Sequence, residues 1–545
     1  MKENKANQDK SAVLDRAHIG DIKGALGTIK HGDIAKRDGW KAHIATFLAI
    51  LGPGLIVMVG DNDAGAFGTY TQAAQNYGTT LLWTLMLLVP VLYVNQEMVL
   101  RLGSVTGVGH ARLILERFGK FWGAFSVIDL FLLNALTIVT EFIGITLALS
   151  YLGLPKEFGV IASAILTMIA ASTGDFRKFE RFSLMLVLGS LFLVPVVIMV
   201  HSPLGQIAHD FIVPQLPKDA KLSEVMLLII AIVGTTVAPW QLFFQQSYVI
   251  DKRITPRFIN YERFDLCLGI VLVMIGAVAM MAFTAATFAG HPEFGNFTDA
   301  SGVSVGLEKY VGKLPAIFFA IALIDASIIG ASAVSLSTAY AIGDVLSLNH
   351  SLHRKPKEAK GFYLVYCGLI AVAAALVLTP GTPLGLLTNA VQTLAGVLLP
   401  SATVFLLLLC NDKAVLGPWV NSRGLNIFTG AIVAVLVMLS VILTASVLWP
   451  DLGEKTIISI LVGGSLVALA ISIGSQFFKR GHSETEQSAD KSLRDTWRMP
   501  PLAELPAKRF TVMNRIWMIV LRAYLVIAGG LVLIRIVQLA TATQG

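Results

Sequence analysis

Residues Gly52 to Gly65 read GPGLIVMVGDNDAG, an apolar helical segment that polar and helix-breaking residues interrupt at mid-membrane depth. A second interruption, Gly234 to Gln241 (GTTVAPWQ), lies five predicted helices later. In a bilayer every backbone donor and acceptor needs a partner, so unwound backbone is tolerated only where it is buried in protein or lines a wet cavity. Two such breaks at corresponding positions of two repeats indicate the substrate site of a transporter.

The composition indicates a polytopic, all-α membrane protein. Of 545 residues 55% are hydrophobic and only 14% are charged, and the mean hydropathy of +0.71 excludes an ordinary soluble protein. The three cysteines lie in or beside apolar runs without CxxC spacing, so we interpret them as structural. We interpret the net charge of +7 by the position of the basic residues along the chain, as a sign of membrane topology. We therefore expect no nucleic-acid partner, and we also expect no bound cofactor.

Thirteen apolar runs are long enough to span a bilayer. They begin near His43, Thr80, Trp122, Phe158, Phe179, Glu224, Phe264, Leu314, Phe362, Pro383, Leu425, Lys455 and Met513. With a cytoplasmic N-terminus, the inside loops carry 34 Lys and Arg and the outside loops carry 6. This bias predicts a multi-pass protein of the cell (inner) membrane with its N-terminus in the cytoplasm.

We predict four regions from the distribution of apolar and basic residues. Residues 1–42 form a polar cytoplasmic tail that is partly disordered, and residues 43–478 form a transporter core of about twelve helices. A basic cytoplasmic linker follows at 479–512, and residues 513–545 form a last transmembrane helix with a short tail. Spans one to five and six to ten enter the membrane from opposite sides, as an inverted repeat requires.

The first break offers oxygen ligands for a cation. Asp61, Asn62 and Asp63 follow the helix that ends at Val59, which places two carboxylates at the negative end of a helix dipole. A bound cation would offset that charge, and hard divalent cations prefer carboxylate, amide and carbonyl oxygens. The alternative is a solvated turn that opens an exterior loop, Asp61 to Thr80, which has no Lys or Arg.

The second break frees further oxygens. Pro239 removes one backbone donor and displaces the carbonyl four residues earlier, so Thr235 and neighbouring carbonyls can face an ion. A proline kink without a ligand is the alternative for this segment taken alone.

Four segments together resemble the NRAMP divalent-metal transporters, which have a LeuT-like fold. They are residues 52–78, TEFIGITLAL at 140–149, GTTVAPWQLFFQQS at 234–247 and LLPSATVFLLLLCNDKAVLG at 398–417, within a similarity that covers about residues 40 to 480. The resemblance implies an inverted repeat of five plus five transmembrane helices with additional C-terminal helices.

Two departures from the family pattern concern the substrate. The family's Asp-Pro-Gly-Asn aligns with Asp63 to Ala66, and its Met-Pro-His aligns with Ala238 to Trp240. Replacing the soft methionine with Ala238 favours Mg²⁺, and losing the Asn at Ala66 leaves room for its water shell. The chain thus resembles the family's magnesium-transporting branch. From the two helix breaks and the family resemblance, the residues expected at the metal site are Asp63, Asp61, Asn62, Thr235, Ala238 and Ala66.

The proton machinery of the family also differs here. Its sixth-helix histidine aligns with Trp240 and a third-helix acid aligns with Ile138, whereas the neighbouring Glu141 is retained. Because a proton relay needs a chain of titratable groups, we predict voltage-driven uptake uncoupled from protons. Residues expected to surround the ion or line its path are Glu141, Trp240, Gln241, Asp325, Asn389 and Gln392.

Two alternatives remain open at this point. One is a proton-coupled Mn²⁺ or Fe²⁺ importer, and the other is an organic-solute transporter of the same fold. An enzyme is disfavoured because no HExxH, GxSxG or phosphate-cradling loop occurs.

Overall fold

Eight helices are long and apolar enough to cross a bilayer, and two bent helix pairs pass the same test, among the residues that the structure describes. The structure is a computed structural model that describes residues 12–218, 220–380, 391, 395, 400–449, 453–479 and 494–508, together with 518–519, 521–527, 530 and 534. Apart from one two-stranded sheet, the regular structure in these ranges is helical. The predicted all-α membrane fold is confirmed.

The first half of the chain contributes a hairpin and ten helices. They are β1 (Ile22–Gly24), β2 (Gly27–Ile29), α1 (Trp40–Ile50), α2 (Pro53–Val59), α3 (Ala64–Tyr77), α4 (Trp83–Thr106), α5 (His110–Phe118), α6 (Lys120–Tyr151), α7 (Lys156–Ala171), α8 (Phe176–Gly189), α9 (Leu193–Val200) and α10 (Leu204–Ile212).

The second half contributes ten more helices among the described residues. They are α11 (Leu222–Thr236), α12 (Pro239–Asp251), α13 (Ile259–Phe288), α14 (Ala300–Tyr310), α15 (Lys313–Leu346), α16 (Lys360–Leu378), α17 (Pro400–Cys410), α18 (Lys413–Leu416), α19 (Arg423–Leu448) and α20 (Glu454–Lys479). In the bundle α15 packs along α6, and α13 packs along α2, α3 and α4.

Eleven of the thirteen predicted span starts lie within five residues of a helix start. The other two, Pro383 and Met513, lie outside the described residues. Hydrophobic run length therefore located the helices well, because the bilayer sets the length of each run.

The prediction of an exterior loop from Asp61 to Thr80 is wrong. Most of that stretch is helix α3, which packs against α11 and α13 and buries Phe67 and Tyr70 completely. Its small residues, Gly, Ala and Thr, have low hydropathy but allow close helix packing inside a bundle. The first span therefore continues beyond the break instead of ending there.

A 52° bend separates α1 from α2 at Leu51 and Gly52. Gly52 has φ +150°, and a Cβ there would lie 2.4 Å from the Glu180 carboxylate, so only glycine fits. The Lys252 ammonium donates to the Ile50 carbonyl (2.6 Å) and the Leu51 carbonyl (2.8 Å). A cation thus satisfies the free carbonyls at the C-terminus of α1.

The N-terminal segment folds onto one end of the bundle, where its hairpin contacts α1 and α8, and we call this end the N-terminal face. The β1–β2 hairpin turn reaches α8, where the Ala25 N–H donates to Glu180 Oε2 at 2.5 Å. Upstream of the hairpin, Arg354 binds the Asp15 carboxylate at 2.6 Å. The described part of the predicted tail is therefore ordered by the bundle, while its placement in the cytoplasm stays a prediction.

A histidine cluster joins the N-terminal segment to the end of α15. His18 Nε2 lies 3.0 Å from the His350 carbonyl, and His350 Nε2 lies 3.1 Å from the Asp344 carboxylate. Burial alone would lower the pKa of His350, but the charge and hydrogen bond of the Asp344 carboxylate, together with the Leu348 carbonyl and the Asp15 charge, raise it to about 9. At neutral pH, His350 is thus protonated and paired with the Asp344 carboxylate.

We expect His350→Gln to destabilise the fold in a pH-dependent way. The folded pKa of His350, about 9, exceeds the usual 6.5. The His350–Asp344 pair therefore stabilises the fold fully below about pH 6.5, and this contribution is lost as the pH rises through 9. The variant should lose about 2–3 kcal/mol at pH 7 and much less at pH 10. Thermal unfolding in detergent measures this, with exposed His31→Gln as the control. An equal deficit at both pH values would contradict the assignment.

Candidate metal site at the helix breaks

The first break runs from Gly60 to Asp63, between α2 and α3. The side chains of Asp61, Asn62 and Asp63 are 0%, 2% and 6% exposed, so this segment is no solvated turn. Turn-like hydrogen bonds hold its backbone, with Asp61 N–H donating to Met58 O (3.2 Å) and Asn62 N–H donating to Val59 O (3.1 Å). Their carboxylate and amide side chains remain available for other partners.

Asp63 is also the N-cap of α3, which the sequence analysis missed. Its carboxylate accepts a hydrogen bond from the Ala66 N–H at 2.9 Å. The positive end of α3 therefore stabilises this charge, whereas the sequence predicted only a repulsive helix C-terminus. Ala66 itself is fully buried, and its N–H orients Asp63.

The second break lies at Val237 and Ala238, between α11 and α12. Ala238 is extended (φ −92°, ψ 142°), and Pro239 occupies the first turn of α12. The predicted interruption is therefore present, as two residues outside the helices within one membrane span, Leu222–Asp251. Ala238 is 8% exposed and places no sulfur or oxygen side chain in the gap.

The two breaks contact each other through Gln241. Its Nε2 donates to Asp61 Oδ1, and its Oε1 accepts from Gln96 Nε2 of α4 at 3.0 Å. The Tyr70 hydroxyl and Thr236 Oγ1 form a second bridge of 2.7 Å between α3 and α11. Thr235 also faces the first break, since a Cβ on Gly65 would lie 3.8 Å from its Oγ1.

Glu141 brings the third transmembrane helix, α6, to the first break. The carboxylate is fully buried, and its Oε2 accepts from the Ala64 N–H at 3.1 Å. It therefore shares the N-terminus of α3 with Asp63. Ile138, one turn earlier on α6, is fully buried and apolar.

Three buried oxygens at the breaks have no hydrogen-bond partner within the described part of the chain. They are Asp61 Oδ2, Asn62 Oδ1 and Glu141 Oε1. In the same part of the chain, no Lys or Arg pairs with these carboxylates or with Asp63. Unpartnered oxygens with excess negative charge are what a cation site requires.

The oxygens do not converge into a compact cage. In the ranges described, no group of three acidic, His or Cys side chains has the spacing of a directly coordinated metal. Asn62 is also partly engaged, because its Nδ2 donates to the Val273 carbonyl of α13 at 3.0 Å. An ion bound here would reach several of these oxygens through its own water molecules.

The remaining predicted residues lie at different distances from the breaks. Trp240 is 1% exposed and lies near Gly60, where an added Cβ would be 3.7 Å from its ring, so it forms a wall of the gap. Asp325 packs against Gly189 at the α8–α9 junction, and no contact in the described structure joins it to the breaks. Asn389 and Gln392 lie outside the described residues.

Sequence reasoning missed Gln96, although a signal was present. Asn95 and Gln96 are two successive amides in the middle of apolar α4, and both are fully buried. Polar residues at that depth are costly in lipid and indicate a polar partner inside the bundle. The partner, Gln241, is 145 residues away in sequence and only the fold identifies it.

Comparison with known proteins gives consistent matches. Residues 54–446 match the family model described as Natural resistance-associated macrophage protein-like. The divalent metal cation transporter MntH of Ralstonia nicotianae is 30% identical over 69% of this chain and 86% of its own length. The MntH of Burkholderia ambifaria is 27% identical over 74% and 90%.

A solved structure shares the fold. The Eremococcus coleocola manganese transporter aligns with a TM-score of 0.62 at 19% identity, covering 85% of this chain and 97% of that one. The predicted LeuT-like arrangement is confirmed by this likeness.

We expect Gln241→Leu to lower the affinity for a divalent cation about tenfold, since it removes the group that orients Asp61. Titration calorimetry of the purified protein with Mn²⁺ measures the affinity. Gln245→Leu is the matched control, because its buried amide, one turn further along α12, has no described hydrogen-bond partner. Equal affinities in the two variants would contradict the role of Gln241.

Proposed function

This chain belongs to the Nramp family of divalent metal transporters, and from its two helix breaks we propose that it imports Mg²⁺ in partly hydrated form by alternating access. The supporting observation is the set of three unpartnered oxygens, on Asp61, Asn62 and Glu141, beside a break without a soft ligand. Hard oxygen donors suit Mg²⁺, which dehydrates reluctantly and keeps several waters when bound.

Each residue has a distinct role in this proposal. Asp61 and Asp63 neutralise the dication, and Asn62 and Thr235 accept hydrogen bonds from its water shell. Ala238 contributes its backbone carbonyl and, having no thioether, removes the preference for softer transition metals. Gln241 of α12 holds Asp61 in place, and Gln96 of α4 in turn donates to Gln241.

The electrical driving force is sufficient for accumulation without protons. Two charges crossing about 100 mV release roughly 4.6 kcal/mol, which supports about a thousandfold gradient. Trp240 and Ile138 are buried side chains that do not titrate, and they stand where the family has a histidine and an acid. We therefore propose that uptake is uncoupled from protons. The excess of Lys and Arg in the loops on the N-terminal side supports the further proposal that the N-terminal face is cytoplasmic.

A proton-coupled Mn²⁺ importer is the second candidate. The curated relatives are named divalent metal cation transporters, and the aligned structure is a manganese transporter. Glu141 keeps a titratable carboxyl beside Asp63 at the start of α3, which favours a proton acceptor. Membership of this family favours both metal hypotheses over the organic-solute alternative.

We expect Asp63→Ala to reduce Mg²⁺ uptake into proteoliposomes more than tenfold, because the variant loses one of the charges that offset the dication. Asp299→Ala is the matched control, since Asp299 caps α14 through Gly302 at the same 2.9 Å distance that joins Asp63 to Ala66. It should lose only a cap, about 1 kcal/mol, and retain uptake.

The same uptake assay identifies the transported metal when Mg²⁺, Mn²⁺ and Ca²⁺ are compared at a clamped membrane potential. The proposal requires Mg²⁺ to be transported and Mn²⁺ to compete with it. Uptake of Mn²⁺ without Mg²⁺ would refute the magnesium assignment and leave the family-level function intact.

We expect Mg²⁺ import to proceed without acidification of the vesicle interior. A pH-sensitive dye trapped inside the vesicles reports this at a fixed membrane potential. Glu141→Gln should retain uptake within a few-fold, since the glutamine keeps an acceptor oxygen beside the first break and an uncoupled carrier needs no proton acceptor there. Metal-dependent acidification that disappears in Glu141→Gln would instead establish the proton-coupled mechanism.

A further inference from the structure

A second buried polar cluster lies at the N-terminal ends of α2 and α13. It consists of Glu180 on α8, Lys252 just after α12, and Glu262 and Asp265 on α13, all 0% exposed. The start of α2 at Pro53 and the first break at Gly60 are seven residues apart, or about 10 Å along a helix. This cluster therefore lies between the metal site and the N-terminal face.

Lys252 and Glu180 complete each other's hydrogen bonds. An ammonium has three donors, and those of Lys252 bind Ile50 O, Leu51 O and Glu180 Oε1 at 2.6, 2.8 and 2.6 Å. Glu180 Oε2 accepts from the Ala25 N–H of the hairpin. The ion pair is thus electrically neutral and has no donor left for another carboxylate.

Glu262 and Asp265 are left with little compensation. They are three residues apart on α13 and so lie on the same helix face. Asp265 Oδ2 accepts from the Gly54 N–H (2.7 Å) and the Leu55 N–H (3.4 Å), but Asp265 Oδ1 and both oxygens of Glu262 have no hydrogen-bond partner in the described structure. Lys252 is the one cationic group described near both carboxyls, and its donors are occupied.

A hydroxyl completes the set of unpartnered groups. Tyr248 on α12 lies one helical turn before Lys252, is fully buried, and its hydroxyl has no described hydrogen-bond partner. The carboxylates of Glu180, Asp251, Asp265 and Glu262 all act on it electrostatically. Three unpartnered carboxylate oxygens and one hydroxyl oxygen therefore share a region that carries about two negative charges when both acids are ionised. A divalent cation would balance that charge.

We propose that Glu262 and Asp265 form a second divalent-cation site, with the Tyr248 hydroxyl and water as further ligands. The inference rests on divalent-cation transport but not on the choice of Mg²⁺. Since no compact group of three acids, histidines or cysteines occurs in the described ranges, the ion keeps part of its water shell. An ion here lies beside the α1–α2 bend, one step closer to the N-terminal face than the ion at Asp63.

The alternative is a pair of protonated carboxyls that bind no metal. A glutamine reproduces the shape and neutrality of a protonated Glu262, so Glu262→Gln separates the two interpretations. It also leaves the Asp265 bond to Gly54 in place, which protects the start of α2.

The test is a Mn²⁺ titration of the purified full-length protein, with free Mn²⁺ followed by electron paramagnetic resonance. Wild type should show two classes of bound Mn²⁺, both displaced by excess Mg²⁺. Asp63→Ala should remove one class, and Glu262→Gln should weaken the other about tenfold or more. Glu293→Gln, a change at a partly exposed acid paired with Lys309, is the control and should retain both.

Thermal unfolding and size-exclusion profiles equal to wild type establish that each variant is folded. A single class of bound Mn²⁺ in wild type, or unchanged binding in folded Glu262→Gln, would overturn the second site. Two classes that both survive Asp63→Ala would instead count against the central site, so the two proposals fail separately.

Discussion

The link between Asp61 and Gln241 is the contact on which the arrangement depends. Each membrane helix that is interrupted exposes backbone and side-chain polar groups that lipid cannot satisfy. Here the two interrupted helices provide hydrogen-bond partners for each other, since Gln241 of α12 donates to Asp61 of the first break. Gln96 of α4 and Tyr70 of α3 extend the contact to further helices. The breaks are therefore stable parts of the fold.

The buried oxygens that lack hydrogen-bond partners determine which ion the breaks can bind. The start of α3 stabilises Asp63 and Glu141 through backbone N–H groups, each worth about 1 kcal/mol. That is small beside the several kcal/mol that burying an ionised carboxylate costs. Asp61 Oδ2, Asn62 Oδ1 and Glu141 Oε1 remain without partners in the described structure. The imbalance favours a dication, and the absence of a sulfur ligand at Ala238 favours a hard one.

The sequence predicted the spans and both breaks because these follow from local patterns. Membrane thickness sets the run lengths, and Pro239 and Gly60 interrupt helices in a way that composition reveals. Helix α3 was missed because its Gly, Ala and Thr residues resemble a loop in hydropathy, although they pack tightly. The same error placed Asp63 only at a helix C-terminus, whereas it begins the next helix.

Long-range partners escaped prediction for a different reason. Gln96 and Gln241 meet across 145 residues, and Ala25 meets Glu180 across 155, so no local pattern reports either contact. The family resemblance supplied the fold and the positions of the substitutions, but it could not show that Gln241 donates to Asp61.

The most direct measurement is the position of a bound Mn²⁺ ion, located by its anomalous scattering in a crystal of the protein. An ion held at the two breaks should give a peak between the Asp61 and Asp63 carboxylates and the Ala238 carbonyl, with water between the ion and at least one of these groups. No peak at the two breaks, with Asp63 turned away from the gap, would contradict this position.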